Sequence, residues 1–264
     1  MSVMEETDIV RLRGVTVRRG DTLLLNGVDW TVRPGEQWAV LGANGSGKTS
    51  LLNTLSGFLQ PTSGGIEVFG QRFGQTNWNE LRRVIGVINH TVADWIQGGE
   101  TALEIVIGGI HSQINYWGRI AKKDVVRARE TLESFGMGPA ESRTWAQLSQ
   151  GERQRVLIAR AIMAAYRILI LDEPCAGLDP VARHRFLEFM DGIASRPGAP
   201  ALFLVTHHVE EITPGFDHVL LLRQGGILAA GPRAKVLNAA LLSRAYDAPV
   251  KLRQSAGRLF LEME

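Results

Sequence analysis

A single cysteine, Cys175, stands in 264 residues, so no disulfide can close within the chain and a reducing compartment is expected. Long hydrophobic runs are missing as well: residues 168–171 and 219–222 are among the longest, far short of the ~18 that cross a bilayer. There is no excess of one charge. Lys and Arg number 29 against 27 Asp and Glu, a balance too even to mark a nucleic-acid-binding surface. Residues 1–6 are acidic and carry no apolar stretch, so no secretory leader is expected. Repeats, low-complexity tracts and a Pro/Gly-rich linker are absent too. What is present is a composition of 45% hydrophobic and 21% charged residues, which buries a core and excludes disorder as the main character. The length suits one α/β domain with a small insertion, or at most two small domains. Such a chain is expected to be soluble, or to reach a membrane through a partner.

Residues 9–12, 22–25 and 28–32 read as strands, punctuated by turns at 19–21 and 34–35. Residues 37–41 form a short apolar run suited to a buried strand. Leu51, Leu52, Leu55, Phe58 and Leu59 then follow a helical period until Pro61. The stretch 89–147 reads as mostly helical, with Val125, Ala128, Leu132 and Phe135 on one helix face and Gly136 as its cap. Helices are expected at 153–165 and 181–193, strands at 168–171 and 202–205, a strand pair at 219–222 and 227–230, and then a short helical tail. This alternation predicts an α/β fold with a mostly parallel sheet and a helical insertion in the middle.

Three segments carry chemistry. Residues 42–49, GANGSGKT, fit G-x-x-x-x-G-K-[ST] between an expected strand and an expected helix. Glycines let consecutive N–H groups face one concavity, the helix adds its positive dipole end, Lys48 supplies charge to the β- and γ-phosphates and Thr49 a hydroxyl to Mg²⁺. Residues 168–174, ILILDEP, put two acids at the end of a buried strand, where adjacent side chains diverge. Asp172 is then placed to hold Mg²⁺, directly or through water, and Glu173 to polarise a water aimed at the γ-phosphate. Residues 148–155, LSQGERQR, contain a Ser149–Glu152 capping box. That segment is either a well-capped helix alone or a second helix N-terminus shaped for phosphate.

The order of these three segments, followed by Val205-Thr206-His207-His208, resembles the ATP-binding subunit of an ABC transporter. The resemblance covers residues 8–232 and implies a P-loop NTPase of ABC type. Its mostly parallel core sheet would carry an N-terminal antiparallel β subdomain and a helical insertion at about 89–150 bearing the signature LSQGE, with a tail at 233–264 packed on the ATPase domain. It implies that Gly42, Ala43, Asn44, Gly45, Ser46, Gly47, Lys48, Thr49 and Ser50 hold ATP, with Thr49 and Asp172 on the metal. Glu173 would be the hydrolytic glutamate and His207 the switch histidine at the γ-phosphate. Asp179 matches the loop that crosses the dimer interface, and it also reads as an N-cap ahead of Pro180. Two copies would bind head to tail, each ATP lying between the phosphate loop of one and Ser149 and Gly151 of the other. The implied partners are a second ATPase subunit, making a homodimer, and a transmembrane permease met by the loop after His90, with no nucleic acid. The implied location is cytoplasmic, on the inner face of the cell membrane.

Two positions depart from the family pattern. Arg19 stands where an aromatic residue usually stacks on adenine; its guanidinium either stacks in that place or stays exposed without a ligand. His90 stands at the usual glutamine, and an imidazole is a poor magnesium ligand. Either His90 acts through water or on the γ-phosphate, or Asn89 takes the role. Cys175 reads as a small buried filler, and Trp78, Trp95 and Trp117 as either core or a partner-facing surface. Residues 35–39 and 213–218 resemble, loosely, a branch associated with molybdenum transport. A soluble ABC dimer without a membrane partner and a regulator with negligible turnover remain as alternatives. Intact Glu173 and His207 oppose the regulator, and the short separation of Lys48 from Ser149 excludes the DNA-repair members with their long coiled coils.

Overall fold

The computed structural model describes residues 7–196, 198–255 and 258–263, apart from the side chains of Asn79, His90 and Thr91. In chain order the first elements are β1 (Val10–Arg19), β2 (Thr22–Val32), β3 (Trp38–Leu41), α1 (Lys48–Leu55), β4 (Ser63–Val68) and β5 (Gln71–Arg72). The middle of the chain holds α2 (Trp78–Arg82), β6 (Ile85–Ile88), α3 (His90–Asp94), α4 (Ala102–Ile110), α5 (Lys122–Ser134) and α6 (Gln150–Met163). The remainder is β7 (Ile168–Asp172), α7 (Pro180–Ala194), β8 (Ala201–Thr206), β9 (His218–Arg223), β10 (Gly226–Pro232), α8 (Arg233–Val236), α9 (Ala239–Tyr246), β11 (Val250–Ser255) and β12 (Arg258–Met263).

Alternation along β1 buries Val10, Leu12, Val15 and Val17, and the strand pairs antiparallel with β2 on one side and β4 on the other. With β5 these form a four-stranded sheet in the order β2-β1-β4-β5. The two strands expected at 22–25 and 28–32 are one, because the register absorbs residues 26–27 as a bulge, with Gly27 at φ 56°.

The second sheet has the order β10-β9-β3-β8-β7-β6, in which β3, β6, β7, β8 and β9 run parallel and β10 closes one edge antiparallel. Its strands are unbroken apolar runs, as a sheet covered on both faces requires. Ala39, Leu41, Leu169, Leu171, Leu202 and Leu204 face one core with helices α4 to α7. Trp38, Val40, Ile168, Ile170, Phe203 and Val205 face the other, against α1 and the antiparallel sheet. The carboxyl ends of the five parallel strands therefore open on one edge, where an open α/β sheet binds its ligands. At the opposite edge the segments 35–39 and 213–218 interlock: Gln37 N donates to Asp217 Oδ1 (2.9 Å), His218 N donates to Gln37 O (3.0 Å), and the Trp38 and His218 rings lie 4.9 Å apart.

Several elements depart from the sequence reading. α1 stops at Leu55 rather than running to Leu59, because Gly57 takes φ 69° and closes a Schellman turn with Phe58 N→Asn53 O (2.8 Å) and Gly57 N→Thr54 O (3.1 Å). Phe58 is left 65% exposed. The helical insertion is three helices separated by irregular chain at 95–101 and 111–121, where Gly98, Gly99 and the left-handed Ser112 and Asn115 interrupt any helix. α5 buries Ala128 and Leu132 on its inner face. The tail is helical only at first, for β11 and β12 form a hairpin through the alternating Val250, Leu252, Leu259 and Leu261. Val236, Leu237, Leu242, Ala245 and Val250 join the core beside α4 to α7. No helix among the described residues is long and apolar enough to cross a membrane.

Candidate active site

The loop from β3 to α1 is shaped by its glycines. A Cβ on Gly42 would lie 2.5 Å from the Leu222 carbonyl oxygen, so only glycine lets the loop pass β9. Gly47, at φ 106°, is the N-cap of α1 and offers no side chain to its N–H groups, so the first turn of this eight-residue helix is left without a side-chain cap. Lys48 is buried and its Nζ donates to the carbonyls of Gly42 (2.8 Å) and Ala43 (3.1 Å). Burial lowers the pKa of its ammonium, against the raising influence of Glu173 and Asp172. Asn44, Gly45, Gly47, Lys48, Thr49 and Ser50 line a cleft of about 730 Å³ whose far wall carries Asn89, Asp172 and Glu173. Uncapped helix N–H groups and a lysine facing such a cleft suit phosphate.

β7 delivers the two acids. Asp172 is its last residue, and Glu173 turns out of the strand at φ 50°, a left-handed conformation costly for glutamate, while its N–H still donates to Val205 O (2.9 Å). Glu173 Oε1 lies 3.0 Å from His207 Nδ1. His207 follows the end of β8, with the His208 ring 4.0 Å away. Behind it, Thr206 Oγ1 donates to the buried Glu211 (2.6 Å) and accepts from His208 N (3.0 Å). The Thr49 hydroxyl and the Asp172 carboxylate line the same cleft. Two hard oxygen donors beside a phosphate cradle fit Mg²⁺, which takes few protein ligands and completes its shell with phosphates and water.

The signature segment lies elsewhere. Ser149 caps α6, its Oγ accepting from Glu152 N (3.4 Å) while Glu152 accepts from Ser149 N (2.8 Å). Asp179 caps α7, accepting from Val181 N (2.8 Å) and Ala182 N (2.9 Å). Ser149, Gly151 and Asp179 share a hollow of about 290 Å³ with Arg155 and Arg185, and no residue among those described lines both this hollow and the cleft of Lys48.

Arg19 is exposed at the end of β1, and the cleft wall runs instead through Thr22, Leu23 and Leu24 across the hairpin. Asn89 lines the cleft and caps α3, accepting from Val92 N (3.0 Å); the side chain of His90, the first residue of α3, lies outside the described residues. Cys175 is buried, and burial, helped by Glu211, pushes its thiol pKa well up, so it is an inert filler. Trp78 is core, whereas Trp95 and Trp117 are 62% and 83% exposed. One contact escaped sequence reasoning altogether: Tyr246, on α9, donates from its hydroxyl to His207 O (2.8 Å) across 39 positions, and no local pattern marks it.

The ABC transporter family model matches residues 25–176. An uncharacterized ABC transporter ATP-binding protein of Bacillus subtilis, YlmA, is 39% identical over 96% of this chain and 96% of its own length. Other relatives are named for zinc transport, nickel import, hemin import and phosphonates import. Among solved structures, a part of the ABC transporter complex cbiONQ from Clostridium perfringens superposes with a TM-score of 0.78 at 23% identity, covering 90% of this chain and 94% of that one. A dimeric ATP-binding cassette in a post-hydrolysis state, bound to ADP and Pi, superposes at 0.70 with 24% identity, covering 84% and 98%. The likeness to the Bacillus protein runs through both the phosphate cleft and the capped signature helix. The chain therefore belongs to the ABC transporter family, as a subunit that binds and hydrolyses ATP in the service of transport.

Proposed function

We propose that two copies of this chain close head to tail beneath a transmembrane permease at the cytoplasmic face of the membrane. Each ATP is then held between Lys48 of one copy and Ser149 and Gly151 of the other. The observation that carries this is the division of the site: the residues that would hold one nucleotide form two separate hollows in a single chain. Within one copy, the α1 N-terminus and residues 42–50 cradle the phosphates and Lys48 leaves its carbonyl partners for the β- and γ-oxygens. Adenine lies against Leu23 and Leu24, with Arg19 at the rim. Thr49 and Asp172 hold Mg²⁺, which would neutralise charge developing on the phosphates. Glu173 orients and polarises the attacking water, and His207, set against Glu173, meets the γ-phosphate. Asn89 reaches the cleft at the position next to His90 and faces the nucleotide there.

The permease contact is supported by a largely apolar groove of about 320 Å³ lined by Leu52, Phe58, Arg82, Val92 and Trp95. Phe58 and Trp95 are exposed there, the Arg82 guanidinium lies 4.5 Å from the centre of the Phe58 ring, and Thr49, Asn89 and Asp172 belong to both this groove and the nucleotide cleft. A partner seated in the groove thus touches the same side chains as the nucleotide. The cargo is selected by the membrane partner. The relatives named above differ in cargo and none is named for molybdenum, so the branch resembled by residues 35–39 and 213–218 rests on those two segments alone. The test is to purify the tagged chain from its native membrane and identify what accompanies it. A multi-span membrane protein in stoichiometric amount is expected; recovery of the chain alone would overturn the permease reading.

A further inference from the structure

His207 is the first residue beyond the sheet ladder. β3 pairs with β8 as far as Thr206, and β7 pairs with it as far as Val205, so the His207 carbonyl has no strand to accept from. Its backbone direction, which aims the imidazole at Glu173, is thus left open by the sheet. The tail of the chain supplies what is missing. Tyr246 Oη donates to His207 O at 2.8 Å. Tyr246 is itself firmly held: its ring packs on the core, Leu242 and Ala245 of the same helix are buried, and Asp247 pairs with Arg223 of β9. A second contact comes from β12, which packs against the turn Val209–Glu211 just after His207.

We propose that Tyr246 is a positioning residue for ATP hydrolysis, fixing the His207 backbone so that its imidazole stays on Glu173 and the γ-phosphate; the proposal rests on the reading of His207 as the switch histidine. The tail is then part of the catalytic apparatus although it follows the last family motif in the sequence. None of its described residues lines the cleft of Lys48. Together with the Thr206 hydroxyl, which accepts from His208 N of the same peptide (3.0 Å), the tail fixes the end of β8, so turnover depends on it while nucleotide capture at Lys48 does not.

The test uses the full chain, with turnover normalised to nucleotide sites titrated with a fluorescent ATP analogue. Tyr246→Phe keeps the packed ring and deletes only the donor. It is expected to lower kcat about three- to tenfold, the scale of one hydrogen bond, with KM for ATP and analogue affinity unchanged. In single-turnover measurements on His207→Ala, adding Tyr246→Phe is expected to cost nothing more, because the positioned group is gone. A lowered melting temperature with unchanged kcat, a KM that rises as kcat falls, or full additivity with His207→Ala would each overturn the proposal. Normal turnover in His207→Ala would remove the switch reading and this proposal with it. Loss of turnover in His207→Ala beside wild-type turnover in Tyr246→Phe would remove the proposal alone.

Discussion

The two hollows differ in how their helix ends are finished. α1 begins at Gly47, in a left-handed conformation with no side chain to give, and Lys48 rests on carbonyls of its own loop. α6 and α7 begin at Ser149 and Asp179, whose side chains already accept from their own first turns. The phosphate cleft therefore keeps its first-turn backbone donors clear of side-chain caps, whereas in the signature hollow Glu152 N, Val181 N and Ala182 N are already engaged by Ser149 and Asp179. The first is a binding site within one chain. The second, on the proposed pairing, would meet its ligand only when another chain brings one. This asymmetry suits a nucleotide that binds one chain first and recruits the second afterwards, and it places the cost of an unfinished site on the side that binds first.

Each substitution below presses on that contrast. The largest effect is expected from Lys48→Ala, which leaves the phosphates without their charge partner: turnover should fall by at least the 10²–10³-fold typical of losing one such donor, with a matching loss of ATP affinity in equilibrium binding. Near-normal turnover would mean that the cleft is not where phosphate sits. Glu173→Gln should lower turnover on the order of 10²–10³-fold while sparing binding, since the amide cannot polarise water as a carboxylate does. That variant should elute as a dimer with ATP and Mg²⁺ in size-exclusion chromatography, and a strictly monomeric profile would count against the head-to-tail pairing.

The smaller effects are on stability and carry opposite signs at Ser149, in the signature hollow, and at Glu211, buried behind His207. Ser149→Ala removes a cap worth about 1 kcal/mol, so the melting temperature should drop by about 2–4 °C, while ATP binding to the monomer is unchanged. A loss of monomer affinity would show that the signature side binds nucleotide without a partner. Behind the phosphate side, burial raises the pKa of the Glu211 carboxyl above its ordinary 4.5, partly offset by the Thr206 hydroxyl and His208. A raised folded pKa means that the folded chain holds the proton more tightly than the unfolded one. Stability is then lost as pH rises from about 4.5 through the raised value. Glu211→Gln keeps an acceptor for Thr206 and removes the charge, so it should raise the melting temperature by about 2 °C at pH 8, with the gain shrinking as the buffer is acidified. A gain that does not change with pH would mean that Glu211 does not titrate differently on folding.

Local patterns in the chain foretell local structure. The glycine spacing of residues 42–47, the Ser149–Glu152 box and Asp179 ahead of Pro180 all act within a few residues, and each appears as read. Of the parallel sheet, β3, β7, β8 and β9 were legible as apolar runs bounded by turns, whereas β6 was not among the expected strands, since Gly86 breaks its apolar run. The hairpin β11–β12 was not, because its two short alternating segments gain definition only by pairing with each other. The end of α1 was not legible, because Phe58 keeps the helical period while Gly57 closes the helix before it. His90 was legible as a departure from the family pattern, and the neighbouring Asn89 is seen at the cleft because the end of β6 carries it there.

By itself, then, the sequence determined the phosphate loop, the paired acids, the capped signature helix and the alternation of strands and helices, since each depends on backbone preferences and hydrogen bonds between near neighbours. Only the tertiary structure decided that Glu173 would meet His207, that Lys48 and Ser149 would line different hollows, and that Tyr246 would reach back to hold the His207 carbonyl. Those contacts join residues far apart in the chain. Their geometry is set by the order β3-β8-β7 in the sheet and by the packing of α9 on the core, which no spacing of residues along the chain encodes.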